Sequence, residues 1–463
     1  MSDAAEQYER LWKKMTQSPH FPIYHFVPGN WMNDPKLFFW DGEYHVFYQH
    51  NPNGPFWGTM HWGHTVSRDL VHWKPLPIAL KPTPGRPDQD GFFTGPVVAD
   101  EDTFRIFYTG IPSLEPFRQT QCRASSMNLT SWEKYPGNPL NIQKPDGFGP
   151  CWRDPCVWEN GEDWFMVIGG EQLEGKGGVA FLYRSHNLID WEYLHLLHEG
   201  KSEQVHSLAP DARGHHFECP DFFPLGDKHV LLTTHAPQTV WHTGKYEDQR
   251  FEMEHLGVMD GGGFCSAKTL IDDQGRRIAW GFLWPIWDWV RQLRPEQEKA
   301  GFSGVLSLPR ELSILPDGHL GIKPVAELEA LRGRHWHFES LELQDNLHLL
   351  DGVEGSALEV LVRFAPTAAQ KLGVVVRASP DLEEHVDLVY DQRSGRFGDA
   401  PLWLSEDEGL VLRVFVDHSV VEAFANGRAC QTVRVIAERD DQLNIGLLAQ
   451  NGTVETLSVD VWE

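Results

Sequence analysis

The sequence predicts an all-β chain, a five-bladed β-propeller followed by a C-terminal β-sandwich. The first sign is a repeat: Ser-x-x-Leu-x-x-Trp begins at Ser67, again at Ser126 and again at Ser185, 59 residues apart each time. The second is a triplet keeping nearly the same beat, Asn33-Asp34-Pro35, then Thr94-Gly95-Pro96, then Arg153-Asp154-Pro155. Between these markers lie short β-rich runs and glycine turns, and four-strand units at this period make a propeller whose innermost strands line a central axis. The third sign comes after about residue 335, where alternating strands follow one another with no helical pattern between them, as in a sandwich.

The elements follow in chain order. Residues 1–19 read as a docking helix: Tyr8, Leu11, Trp12 and Met15 share one face, acids come early and Lys13-Lys14 late. Residues 20–323 are the propeller, organised around Asn30 to His64, where Asp34 opens an inner strand, Asp41-Gly42 turns the chain and Tyr44 to His50 returns. The second unit holds the run from Phe104, and the third holds runs from Asp163 and Gly178. The beat continues through Glu218-Cys219-Pro220 with His229 to His235, and through the Asp260-Gly261-Gly262-Gly263-Phe264 stretch with the run from Arg276. Residues 324–334 read as a short helical linker. Residues 335–463 form the sandwich, with strands from Ala357, Lys371, His385, Leu410 and Val420, and Asn426-Gly427 as a hairpin turn. No constellation of reactive side chains marks this last part, which reads as structural.

Composition narrows the function. There are 40 Lys+Arg against 66 Asp+Glu, a formal charge of −26 spread along the chain. That argues against nucleic acid and anionic membrane as partners. No apolar run approaches membrane-spanning length, and the first residues lack the apolar core of a secretory leader. Six cysteines in 463 residues form neither a disulfide framework nor a metal-binding pair of pairs. A cytoplasmic protein with reduced thiols is expected, and association of two copies through the sandwich is left open.

If the markers are equivalent inner-strand positions, Asp34, Asp154 and the acid of Glu218-Cys219 converge on one axial pocket. Three acids brought together repel, and function explains that better than packing does. The nearby rings (Trp31, Phe38, Phe39, Trp40, Phe56, Trp57, Trp62) suit the apolar faces of sugars. Two carboxyls beside such a wall suit glycoside hydrolysis, one attacking the anomeric carbon and the other protonating the leaving oxygen. A metal is the competing use of clustered acids. However, neither the histidines of His61-Trp62-Gly63-His64 nor the pair His215-His216 has zinc-enzyme spacing, and no calcium loop is present. No metal and no cofactor are expected.

Trp31-Met32-Asn33-Asp34-Pro35, the run from Phe47 to Pro52, Trp57 to His64, Trp152 to Pro155, Glu218 to Phe223 and Gly304 to Leu312 resemble, in order, the motif series of glycoside hydrolase family 32. The run from Phe415 to Gly427 is similar to that family's C-terminal sandwich. The resemblance implies a five-bladed propeller plus sandwich and β-fructofuranosidase chemistry. It also implies residue roles. Asp34 is the nucleophile, Glu218 the acid/base, and Asp154 holds fructose hydroxyls and steadies the oxocarbenium-like transition state. Arg153 orients and keeps Asp154 ionised, while Asn33, Gln49, Trp57, Phe93 and Thr94 shape the fructose subsite, with Trp284 or Trp287 at its rim. Cys219 tunes the acid or simply fills space.

The chain departs from that pattern beside the site. Where the family commonly reads Asn-Asp-Pro-Asn-Gly, Lys36-Leu37 follows Pro35 and the loop is one residue shorter. Phe93-Thr94-Gly95-Pro96 and Arg153-Asp154-Pro155-Cys156 are also unusual. Lys36 is expected on the same side as Asp34, at the pocket mouth, choosing the leaving group. The expected activity is retaining hydrolysis of terminal β-linked fructose from sucrose or short fructo-oligosaccharides. A fructosyltransferase or difructose-forming enzyme of the same fold, or an inactive sugar-binding propeller, are the alternatives.

Overall fold

The computed structural model describes residues 3–208, 215–283 and 299–463. After a helix at Asp3–Thr16 come five sheets in chain order, four of them built on four consecutive strands and the fifth on four strands interrupted by the short runs Phe302–Ser303 and Val305–Leu306. Their innermost strands are Asn30–Trp40, Val97–Asp100, Phe148–Asn160, Glu218–Leu225 and Phe264–Ile271. Each sheet packs on the next, and the fifth returns to the first, which closes the ring. This is a β-propeller.

The Ser-x-x-Leu-x-x-Trp repeat is the turn between the third and fourth strands of the first three sheets. Ser67, Ser126 and Ser185 each accept the N–H two residues on, at 3.1–3.2 Å. The Asp69, Asn128 and Asn187 side chains accept the next N–H groups. Leu70, Leu129 and Leu188 then take left-handed φ values of 65°, 62° and 61° and are buried beneath the turn. The side-chain caps compensate a conformation that Leu otherwise avoids. The motif is thus a turn with its own apolar plug.

Leu11 and Met15 of the helix pack on the propeller core, and Trp12 meets Phe21 edge-on at 5.6 Å. A Cβ on Gly29 would strike the Met15 sulfur at 2.8 Å, so the close approach of the helix requires glycine there. The chain leaves the fifth sheet through Leu320–Pro324, makes a 3-10 turn at Ala326–Leu331 and enters the second unit at His335. That unit is two packed sheets of seven and six strands around one main apolar core, with a smaller cluster of Val375, Ala378 and Leu448 beside it. The hairpin after Val420–Ala425 has three linking residues, with Asn426 (φ 49°) and Gly427 (φ 64°) both left-handed. Propeller and sandwich are locked together by a buried cluster, Arg310, Asp260, Glu422, His25 and Asp417.

Candidate active site

The innermost strands of four sheets break register at the same place. The shifts fall between Asn33 and Pro35, at Arg153 to Cys156, at Glu218 to Asp221 and at Cys265 to Lys268. Within each shift one residue is left-handed: Asp34 (φ 43°), Asp154 (φ 63°), Cys219 (φ 48°) and Ser266 (φ 55°). Such backbone costs on the order of 1–3 kcal/mol per residue and gathers where function requires it. The bulge turns two successive side chains toward the axis. The second sheet supplies Phe93 and Thr94 from the extended stretch ahead of Val97–Asp100.

These pairs surround a cavity of about 170 Å³ lined by Asn33, Asp34, Phe93, Arg153, Asp154, Glu218, Cys265 and Ser266, with Trp31, Gln49, Trp57, Ala236 and Phe282. Asp34 Oδ2 accepts Gln49 Nε2 at 2.7 Å and Thr94 Oγ1 at 3.3 Å, with the Cys219 sulfur 3.8 Å away. Asp154 Oδ2 takes the Cys219 N–H at 3.0 Å and lies 3.8 Å from Arg153 Nε. Its Oδ1 is buried with no partner, and so is Gln49 Oε1. Buried oxygens left open against a cavity are where a ligand's hydroxyls can donate. Glu218 is held by the Arg153 guanidinium and by His216 Nε2 at 2.8 Å.

Charge in the free pocket follows from these contacts. Burial alone raises Glu218, but Arg153 and His216 outweigh it and hold the carboxyl well below the usual range. Burial lowers His216, yet its bonds to Cys151 and Glu218 lift it to about 10. Asp34 is displaced upward, first by burial; Lys36 opposes this, while Asp154 and Glu218 add to it. A proton entering the free pocket therefore goes to Asp34 before Glu218.

Asp34, Asp154, Glu218, Asn33, Gln49, Trp57, Phe93 and Arg153 all line the cavity, and Thr94 stands behind Asp34. Three expectations change. Glu218 is not the register equivalent of Asp34 and Asp154; Cys219 is, and Glu218 matches Asn33 and Arg153 one place earlier. Lys36 is not at the mouth: it is 1 % exposed, its ammonium donating to the backbone oxygens of Asp34 (2.6 Å) and Pro35 (2.9 Å). The bulge turns the strand, so alternation from Asp34 does not carry Lys36 into the pocket. Asp260-Gly261-Gly262 does lead into the fifth inner strand at Phe264, and it also packs on the sandwich, where a Cβ on Gly262 would lie 1.9 Å from Thr432 O. Of the rings named around Asp34, Trp31 and Trp57 reach the cavity, whereas Trp62 is core and Phe38, Trp40 and Phe104 cluster together. Trp284 and Trp287 lie outside the described residues.

Sequence reading missed Cys265, Ser266 and His216. The first two were hidden because the fifth unit carries no acid at the marker. His216 was set aside with His215 for lacking metal spacing, although its place two residues before Glu218 was a signal.

The model of the glycosyl hydrolases family 32 N-terminal domain matches residues 25–324, and that of the family 32 C-terminal domain matches residues 327–463. This chain belongs to glycoside hydrolase family 32. The hydrolase is 30% identical to a sucrose-6-phosphate hydrolase of Escherichia coli, covering 96% of this chain and 94% of that one. It is 32% identical to a raffinose invertase of Escherichia coli, with the same two coverages. Among solved structures, a fructan 1-exohydrolase IIa from Cichorium intybus in complex with 1-kestose superposes with a TM-score of 0.83 at 25% identity, covering 96% of this chain and 98% of that one.

Proposed function

We propose that this family 32 hydrolase is a retaining β-fructosidase, releasing terminal fructose from sucrose or short fructo-oligosaccharides. The supporting observation is one pocket in which Asp34, Asp154 and Glu218 arrive from three separate inner strands, with Asp154 Oδ1 left unpartnered. Asp34, fixed by Gln49 and Thr94, attacks the anomeric carbon while Glu218 protonates the leaving oxygen, and water, activated by Glu218, then releases fructose. Asp154 Oδ1 and Gln49 Oε1 accept fructose hydroxyls. Trp57 and Phe93 form the apolar wall. In the free pocket the proton favours Asp34, so the reacting state requires the incoming sugar to draw Arg153 off Glu218 and leave the proton there.

Among the described lining residues Arg153 is the one basic side chain, and it is already paired with Glu218 and Asp154. The free thiols fit a cytoplasmic enzyme. Product analysis on sucrose, sucrose 6-phosphate, kestose, inulin and levan tests the reading, with methanolysis followed by NMR. The expected products are free fructose and, in methanol, a methyl β-fructoside. An inverted methyl fructoside rules out the covalent route. Transfer products in place of free fructose favour the transferase.

A further inference from the structure

Cys151, Glu171 and His216 meet beside the pocket, outside the lining. Cys151 comes from Phe148–Asn160, Glu171 from the neighbouring strand Asp163–Gln172, and His216 from the residues leading into Glu218–Leu225. The Cys151 sulfur, a Glu171 oxygen and a His216 ring nitrogen lie within 4.8 Å of one another, and all three residues are half-buried. The arrangement is supported from behind. Glu171 Oε1 accepts the Cys151 N–H at 3.1 Å, and a Cβ on Gly149 would lie 2.3 Å from the Glu171 side chain, so glycine makes its room. Arg153 Nη1 points at the Cys151 sulfur, 3.2 Å away.

We propose that Cys151, Glu171 and His216 form a site for a borderline-soft divalent cation such as zinc, and that filling it turns the adjacent catalytic pocket down. One thiolate, one imidazole and one carboxylate with an open fourth position is a zinc ligand set, whereas calcium and magnesium take oxygen alone. Metal–ligand distances of about 2.0–2.3 Å place tetrahedral neighbours roughly 3.3–3.8 Å apart, within reach of small side-chain rotations. On binding, Cys151 and the coordinating ring nitrogen of His216 each release a proton to solvent and give the metal a lone pair, while the other ring nitrogen keeps its proton on Glu218. His216 Nε2 is already on Glu218, so coordination through Nδ1 pins that bond and holds Glu218 in the arrangement the incoming sugar has to undo.

The test titrates the full-length, chelator-treated protein with cobalt(II) and then zinc(II). A sulfur-to-cobalt charge-transfer band should rise to one equivalent and be bleached by zinc. Fructose release should fall at least tenfold in parallel and return on adding chelator. Cys151→Ser should lose both band and inhibition while keeping metal-free turnover within a few-fold. Glu171→Gln, which keeps the thiol, should show the band only at tenfold or more higher cobalt.

The exposed cluster His335, His337 and Asp460 is the rival site, so His337→Asn should change nothing. A band that survives Cys151→Ser, or vanishes in His337→Asn, overturns the site. A filled site with unchanged turnover overturns the switch. The switch rests on the fructosidase reading but the band does not: a metal-free protein inert on every fructoside sinks that reading and leaves the band to stand.

Discussion

Two clusters of buried charge in this molecule share a composition and differ in one respect. In the pocket, Arg153 joins Glu218 and Asp154 with His216 alongside; at the domain junction, Arg310 joins Glu422 and Asp260 with His25 and Asp417 alongside. At the junction every carboxylate oxygen is engaged. Asp260 Oδ1 takes the N–H groups of Gly262 and Thr432, and its Oδ2 takes Arg310 and the Thr432 hydroxyl. Glu422 and Asp417 are likewise closed by Leu308, Ile23, Tyr24 and His25. In the pocket, Asp154 Oδ1 is open and the cluster borders a cavity. Residue type does not separate a structural network from a catalytic one. Between these two clusters, the carboxylate oxygen left without a partner does.

The largest expected effect lies in the pocket. Asp34→Asn should lower turnover by about ten-thousand-fold or more while the melting temperature holds or rises, since one of three repelling acids is removed. Glu218→Ala should lose a similar factor on sucrose but recover partly on an activated aryl fructoside, whose leaving group needs little protonation. Steady-state kinetics on both substrates with calorimetry decide it, and equal loss everywhere would undo the two roles.

The mirror experiment lies at the junction. Glu422→Gln leaves Arg310 under-paired in a buried site, so unfolding free energy should drop by about 3–5 kcal/mol with turnover per folded molecule within a few-fold. Denaturant titration beside active-site counting measures both. If the junction variant stays stable yet loses catalysis, the contrast between the two clusters is broken.

A third test uses pH. Burial alone would lower His25, but Asp417 and Glu422 lift it to about 9 from an ordinary 6.5. A raised folded-state value contributes stability that is complete below about pH 6.5 and lost as pH climbs through about 9. Asp417, brought to about 2 by His25 and backbone donors in spite of burial, contributes stability that fades as pH falls from its ordinary 3.8 toward that value. Unfolding free energy should therefore decline on the order of 2–3 kcal/mol between pH 6.5 and 9.5, and His25→Gln should flatten that slope. A wild-type curve that is level across this range removes the charged His25.

The smallest effect concerns Lys36. Because its ammonium holds the backbone of Asp34 and Pro35 and never reaches the cavity, Lys36→Met should slow sucrose, kestose and inulin by one common factor of about tenfold or less. A changed ratio among those substrates would restore Lys36 as a chooser of leaving groups.

Much of this was written in the chain. The Ser-x-x-Leu-x-x-Trp interval announced the sheets because each turn needs the same capping side chains and the same buried leucine. Asp34 and Asp154 were legible because they sit in matching triplets. Glu218 was legible as an acid and mislaid by one position, since a bulge adds a residue that no alternation of polar and apolar side chains records. Lys36 was misplaced for the same reason. The third gap was the fifth sheet, where Cys265-Ser266 carries neither acid nor proline and the conspicuous Asp260-Gly261-Gly262 ahead of the strand also serves the junction.

The bulges also bear on how such an enzyme can be altered by descent. Each is an interruption local to one inner strand, with regular pairing resumed on either side, so the two residues it presents can be exchanged without re-registering a sheet. Under the proposed chemistry, Asp34, Arg153-Asp154 and Glu218 are bound to the reaction and cannot drift. Phe93-Thr94 and Cys265-Ser266 occupy equivalent seats with no ionisable acid among them. On that reading, substitution at Phe93, Cys265 and Ser266 would change the sugars accepted while the chemistry stays fixed.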